Sequence, residues 1–290
     1  MSEPHTLLAA PSPWATIAQT LRSSFKKPGP VPALPSAQWV RPQVVLTADA
    51  IARYRACCGF EDRAGVPLTY PQLLGFPLGL GYMNSPECPW PALGTVHLSN
   101  HITQHAPLAV GDALRVVLQT GALRAHDKGQ AFTVELHLWR DNACIWSCVQ
   151  TVLRLGVRPA YGEPYAPAVA SAPDLRERAP LDAPADIGRR YARVSGDFNP
   201  IHLSALTAKP FGFPRAITHG LWTQARALAI LHPQGGQGAA SLACDFHSPL
   251  RLPARATVWT APDARHGRFE VRDAQGQRCH LRAELTQSSS

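Results

Sequence analysis

Apolar and polar residues alternate along four consecutive runs, 94–104, 113–125, 130–140 and 145–155, with the period of strands that bury one face. Asp127-Lys-Gly-Gln and Asp141-Asn-Ala separate the later runs with turn-forming residues, so the pattern predicts a meander. Ahead of it, 47–60 is weakly helical, and 71–83 is an apolar stretch broken by glycine and proline. The same order recurs in the second half. A helical start at 187–194 leads to an apolar helix over 218–231, then to strand patterns at 241–246, 254–261, 265–272 and 277–286. Helical segments followed by a meander, twice over, predict the α+β class and a divergent internal duplication.

Two segments fall outside this repeat. Residues 12–25 suit a short amphipathic helix, capped by Ser12, started by Pro13, with Trp14, Ile17, Leu21 and Phe25 on one face. A proline-rich connector follows it. Residues 158–184 shift to Pro and Ala, with prolines at 159, 164, 167, 173, 180 and 184, the composition of an interdomain linker. The expected divisions are therefore an N-terminal helix and connector (1–30), a first half (31–157), a linker (158–184) and a second half (185–290).

A chain of 290 residues that is 45% hydrophobic can fill two cores, and none of its apolar stretches approaches the ~20 residues a membrane span needs. The start of the chain lacks the basic and apolar regions of a secretory signal. Seven cysteines, without a C-x-x-C pair, read as reduced thiols in a cytoplasmic protein. Lys plus Arg is 28 against 20 for Asp plus Glu, a net +8 that favours anionic partners. The basic residues are dispersed and no nucleic-acid motif accompanies them, so nucleic acid is not an expected partner.

The chemistry concentrates in Tyr191-Ala-Arg-Val-Ser-Gly-Asp-Phe-Asn-Pro-Ile-His-Leu-Ser and in Phe211-Gly-Phe-Pro-Arg-Ala-Ile-Thr-His-Gly. Asn199-Pro200 reads as an N-cap and first helical residue, which puts Asp197 in the preceding loop and His202 in the first turn. A carboxylate and a neutral imidazole within reach of one water form an acid/base pair. The same pattern also serves a plain turn, with Asp197 and Asn199 capping it and His202 packed in the core. Thr218 is the expected cap of the long helix, placing Gly220 at its second position. There a backbone N–H without an intrahelical partner, and without a side chain beside it, suits a developing oxyanion. Helix packing alone is the other reading of Gly220.

Ser195-Gly-Asp-Phe-Asn-Pro-Ile-His, then Gly212-Phe, then Ile217-Thr-His-Gly resembles the signature of MaoC-like, hydratase-2 type (R)-specific enoyl-CoA hydratases and dehydratases. The resemblance covers about thirty residues and implies a double hotdog, each half a long central helix wrapped by a bent antiparallel sheet. It implies Asp197 and His202 as the catalytic dyad, Asn199 as a positioning residue, and the Gly220 N–H as ligand of the thioester oxygen. The first half lacks D-x-N-P-x-H and would be a silent partner that makes room for the acyl chain. The implied reaction is reversible hydration of trans-2-enoyl thioesters to (R)-3-hydroxyacyl thioesters. It needs no cofactor and no metal, CoA or carrier-bound pantetheine being part of the substrate. A homodimer is compatible with this form. Lys209 and Arg215 depart from the pattern. A non-catalytic acyl-thioester-binding or assembly subunit and a hotdog thioesterase are the alternatives.

Other signals are weaker. His97, His101 and His105 have helical metal-site spacing, but their surroundings alternate as a strand. Gly75, Gly79 and Gly81 match no phosphate-binding motif, and Ser195 is not in G-x-S-x-G.

Overall fold

The computed structural model describes residues 3–9, 23, 25–62, 65–234, 238–261 and 267–287. Most of the helix expected over 12–25 lies outside these. In chain order the strands are β1 (His5–Thr6), β2 (Gln38–Val45), β3 (Thr95–Gln104), β4 (Ala113–His126), β5 (Gly129–Arg140), β6 (Ala143–Leu155), β7 (Glu163–Pro164), β8 (Arg176–Ala183), β9 (Ala240–Phe246), β10 (Ala254–Thr260), β11 (Gly267–Asp273) and β12 (Cys279–Gln287). The α-helices are α1 (Ala48–Cys58), α2 (Gln72–Asn84), α3 (Ile187–Ser195), α4 (Ala205–Ala208) and α5 (Gly220–Leu231). The four strands predicted between 94 and 155 are present within a residue or two at each end. Only β4, β5 and β6 form a meander, because β3 lies beside β6 and not beside β4. Its β5–β6 turn places Asp141 in the left-handed region at φ 54°.

Two compact units result. One comprises 1–45, 72–100 and 112–167. Its strands run β1-β2-β4-β5-β6-β3, with β2/β4, β4/β5 and β5/β6 antiparallel. Helix α2 packs on β2, β4 and β5 despite Pro77 in its interior. A Cβ on Gly75 would stand 2.4 Å from Leu136 Cδ1, so at that position the lack of a side chain lets helix and sheet approach.

The other unit comprises 46–71, 101–111 and 168–290. Its strands run β9-β12-β11-β10-β8, all antiparallel, and α5 packs on β8 and β12. Helix α1 packs against α3 and α5. The units therefore do not follow the boundaries 31–157 and 185–290, because 46–71 and 101–111 fold with the second half.

The expected linker is also partly structured. β8 pairs with β10 from Arg176 to Ala183, with Pro180 opposite Thr257. β8 ends the strand order of its unit, and an edge strand tolerates a residue with no N–H. Proline content thus hid a strand. All seven cysteines are free thiols. Among the described residues no helix is long and apolar enough to cross a membrane.

Candidate active site

The site lies in the unit that contains α5 and is assembled from the end of α3, the short turn after it, and the entry to α5. Helix α3 stops at Gly196, whose φ of 81° suits glycine and whose N–H donates to Ala192 O. Ser195 Oγ donates to Tyr191 O (2.8 Å) and accepts from Asp197 N (3.2 Å). Asp197 Oδ1 then accepts from Asn199 N (3.1 Å), and Asn199 Oδ1 from Ile201 N (3.4 Å). These two side-chain turns convert the helix end into a 3₁₀ turn at Pro200–His202, with Asn199 its cap and Pro200 its first residue as the sequence predicted. Asn199 is thus engaged with the backbone of its own turn.

His202 is buried, and its position is tight. A Cβ on Gly188 of α3 would lie 1.9 Å from His202 O. The ring Nδ1 stands 2.9 Å from Ile217 O. A carbonyl only accepts, so Nδ1 carries the proton and Nε2 keeps its lone pair. Burial lowers the His202 pKa, and the Asp197 charge and the Ile217 carbonyl only oppose that. The imidazole is neutral at pH 7, and the carboxylate beside it is partly solvent-facing, its side chain 29% exposed.

A third residue completes the group. His219 stacks on His202 with centroids 3.7 Å apart and planes at 27°. Its Nε2–H donates to the Asp197 backbone O (3.0 Å) and lies 3.7 Å from Asp197 Oδ2. Its Nδ1 is buried without a hydrogen-bond partner. Burial first, then the neighbouring His202, pushes its pKa down to about 3. Sequence reasoning passed over His219. It held a signal, because histidine is not a favoured N-cap and an unusual residue there points to another use.

His219, not Thr218, is the N-cap of α5, and Gly220 is its first residue. The Thr218 N–H donates to Leu250 O (2.9 Å), and its hydroxyl meets Thr223 Oγ1 at 3.0 Å. The first i to i−4 bond runs from Thr223 N to His219 O, so the Gly220 N–H precedes the ladder. A Cβ on Gly220 would touch the Phe246 ring at 3.0 Å.

Asp197, His202 and His219 each offer an atom within 4.8 Å of the others, the one such group found among the described residues. With His202 Nδ1 tied to Ile217 O and His219 Nε2 to Asp197 O, the nitrogens left to accept are His202 Nε2 and His219 Nδ1. His97 and His101 lie on β3, as the alternation predicted, and His105 just beyond it. Lys209 and Arg215 are exposed on the segment between His202 and His219.

Residues 165–277 match the family model of the MaoC-like domain. The chain is 36% identical over 217 residues to the 3-hydroxyacyl-thioester dehydratase X of Mycobacterium tuberculosis, covering 73% of this chain and 75% of that protein. The chain belongs to the MaoC-like family. The structure of HtdX from the same organism superposes on this MaoC-like chain with a TM-score of 0.74 at 31% identity, over 86% of this chain and 98% of the other. A conserved M. tuberculosis protein with a double hotdog fold aligns with a TM-score of 0.50 at 14% identity, over 84% and 92% of the two chains. A double hotdog is thus the fold of one of the MaoC-like chain's structural neighbours.

Proposed function

We propose that this MaoC-like chain is a hydro-lyase that interconverts trans-2-enoyl and (R)-3-hydroxyacyl thioesters in fatty-acid-type metabolism. The carrying observation is the neutral His202, with Nδ1 tied to Ile217 O and Nε2 left to accept, beside the Asp197 carboxylate. In the hydration direction the pair holds one water. As its oxygen bonds to C3, the pair accepts one proton, and a proton is delivered to C2 from the same side, so that H and OH add in sum. Electron density that moves onto the thioester oxygen is met by the Gly220 N–H at the start of α5. A positioned acid/base pair contributes roughly 10²–10⁴-fold and one oxyanion donor about 10²–10³-fold. No metal or redox cofactor takes part, and CoA or carrier-bound pantetheine enters as part of the substrate.

The proposed architecture is a double hotdog with α2 and α5 as the central helices. It is supported by the packing of α2 on β2, β4 and β5 and of α5 on β8 and β12. A cytoplasmic setting accords with seven free thiols. The partners are the acyl-CoA or acyl-carrier-protein thioester and a second copy of the chain.

The test follows the conjugated-thioester absorbance of an enoyl-CoA mixed with the enzyme, with chiral analysis of the product. Loss of absorbance with an (R)-3-hydroxyacyl thioester is expected. Release of free thiol without hydration would identify a thioesterase, and binding without either change would identify a non-catalytic subunit.

A further inference from the structure

The segment that joins His202 to His219 has features the acid/base chemistry does not use. Between Asp186 and Asp245 the chain carries six basic residues and a single acidic one, Asp197. Across the whole chain the ratio is 28 to 20. Lys209 and Arg215, in the middle of this stretch, are exposed. The same stretch exposes large apolar side chains, which soluble surfaces seldom cluster. Leu206 is 80% exposed, Phe198 39% and Phe211 37%.

These residues belong to one ordered excursion. Thr207 Oγ1 donates to Pro200 O (2.7 Å), Phe213 N to Ala208 O (3.3 Å) and Ile217 N to Ile201 O (3.1 Å), so the chain leaves the His202 turn and returns to it. Arg189 Nη1 of α3 donates to Leu203 O (3.0 Å), which brings the arginine-bearing face of α3 to the same place.

We infer that residues 198–215 form a docking surface for an acidic acyl-carrier protein that delivers the thioester on its pantetheine arm. The inference rests on the hydro-lyase reading above. A carrier rather than the CoA nucleotide is favoured by the apolar component. Leu206 and Phe211, exposed on the same excursion as Lys209 and Arg215, offer the apolar and cationic groups that an acidic amphipathic surface would meet. A nucleotide presents anionic oxygens and a single base, one flat face for the three exposed apolar side chains Phe198, Leu206 and Phe211 to share. Exposed cations also act mainly on encounter, which suits a protein that must arrive, deliver and leave.

The test compares one enoyl group on three carriers: holo acyl-carrier protein, CoA and N-acetylcysteamine. The full-length enzyme is compared with the double variant Lys209→Glu/Arg215→Glu and with Leu206→Ser. Either variant is expected to raise KM for the carrier-borne substrate at least tenfold. The N-acetylcysteamine thioester should stay within twofold and the CoA thioester within threefold. Added salt should raise the wild-type KM for the carrier substrate alone. An unchanged carrier KM overturns the proposal, as does an equal loss with CoA, which would make the patch a nucleotide phosphate site. Sedimentation in which Leu206→Ser dissociates a wild-type dimer also overturns it. Should the double variant lose its native circular dichroism, Leu206→Ser carries the same expectation alone. Failure of the wild type to hydrate even the N-acetylcysteamine thioester would instead strike the hydro-lyase reading.

Discussion

His219 stacks on His202 at 3.7 Å while its Nε2–H holds the backbone carbonyl of Asp197 at 3.0 Å. One buried ring thereby fixes two others' positions: the imidazole plane of His202 and the loop that carries the carboxylate. Burial keeps His202 in its neutral, proton-accepting form, and His202 in turn helps hold the His219 pKa down. His219 has little capacity to act as an acid itself, since its pKa is pushed down to about 3.

If Asp197 and His202 share the reacting water, Asp197→Asn and His202→Ala should each lower kcat by at least ~10². The double variant should lose little more than either single one, because members of one catalytic unit are not independent. Steady-state hydration kinetics on folded variants check this, and near-normal turnover by either would sink the dyad.

For His219 the substitutions divide the role. His219→Gln can keep a donor near the Nε2 position and should retain far more activity than His219→Ala, which frees the Asp197 loop. The loss should fall on kcat, with KM little changed. Equal activities of the two variants would show that the bond to Asp197 O does not matter.

Buried neutral histidines also set the acid limit of stability. An unfolded histidine titrates near 6.5, whereas His219 stays neutral to about 3 and His202 also has a lowered pKa. As pH falls below about 6.5 the unfolded chain takes up protons the folded chain refuses. Stability is therefore complete above that pH and declines toward pH 3, by up to about 1.4 kcal/mol per pH unit for each such histidine. Urea unfolding at pH 7, 6, 5 and 4 should follow this slope, and His219→Gln should flatten it by about one proton. A slope unchanged in the variant would contradict the assignment.

Gly188 tests how closely the backbone positions His202. Its missing Cβ would lie 1.9 Å from His202 O, an atom that cannot swing aside. Gly188→Ala should cost about 1–3 kcal/mol and lower kcat as the turn shifts. Gly220→Ala meets the Phe246 ring at 3.0 Å, and a ring edge can yield. It should therefore be milder in stability, with thermal unfolding midpoints deciding between them.

The chain announced its strands well and its partition poorly, for physical reasons. Alternation marks a half-buried strand wherever it sits, so β3–β6 and β9–β12 were legible within a few residues. Pro180 concealed β8, because local composition carries no information that an edge position will excuse a missing donor. Asp197, Asn199 and His202 were legible because a local run of turns brings them together. His219 comes to them through the bond from Ile217 N to Ile201 O, a contact no local pattern records. The recruitment of 46–71 to the unit with α5 is likewise nonlocal.

That recruitment gives the last test. Tyr54 of α1 is fully buried, donates its hydroxyl to Thr69 Oγ1 (2.8 Å) and packs on Tyr191 with centroids 6.4 Å apart. Tyr191 in turn lies 5.0 Å from His219. Trp222 Nε1 donates to Cys57 O (3.1 Å), which joins α1 to α5. A helix from the first half of the sequence thus stands two rings away from His202. The fragment 168–290 would expose Tyr191 and Trp222 and lose these bonds. It should be poorly soluble, bind hydrophobic dyes and hydrate enoyl thioesters at below ~1% of the full rate. In the full chain, Tyr54→Ala should cost about 3–5 kcal/mol, as truncation of a large buried aromatic does. Tyr54→Phe removes only the hydroxyl and should retain the rate. A fragment 168–290 that unfolds cooperatively and works at full rate would mean that α1 contributes nothing to the site.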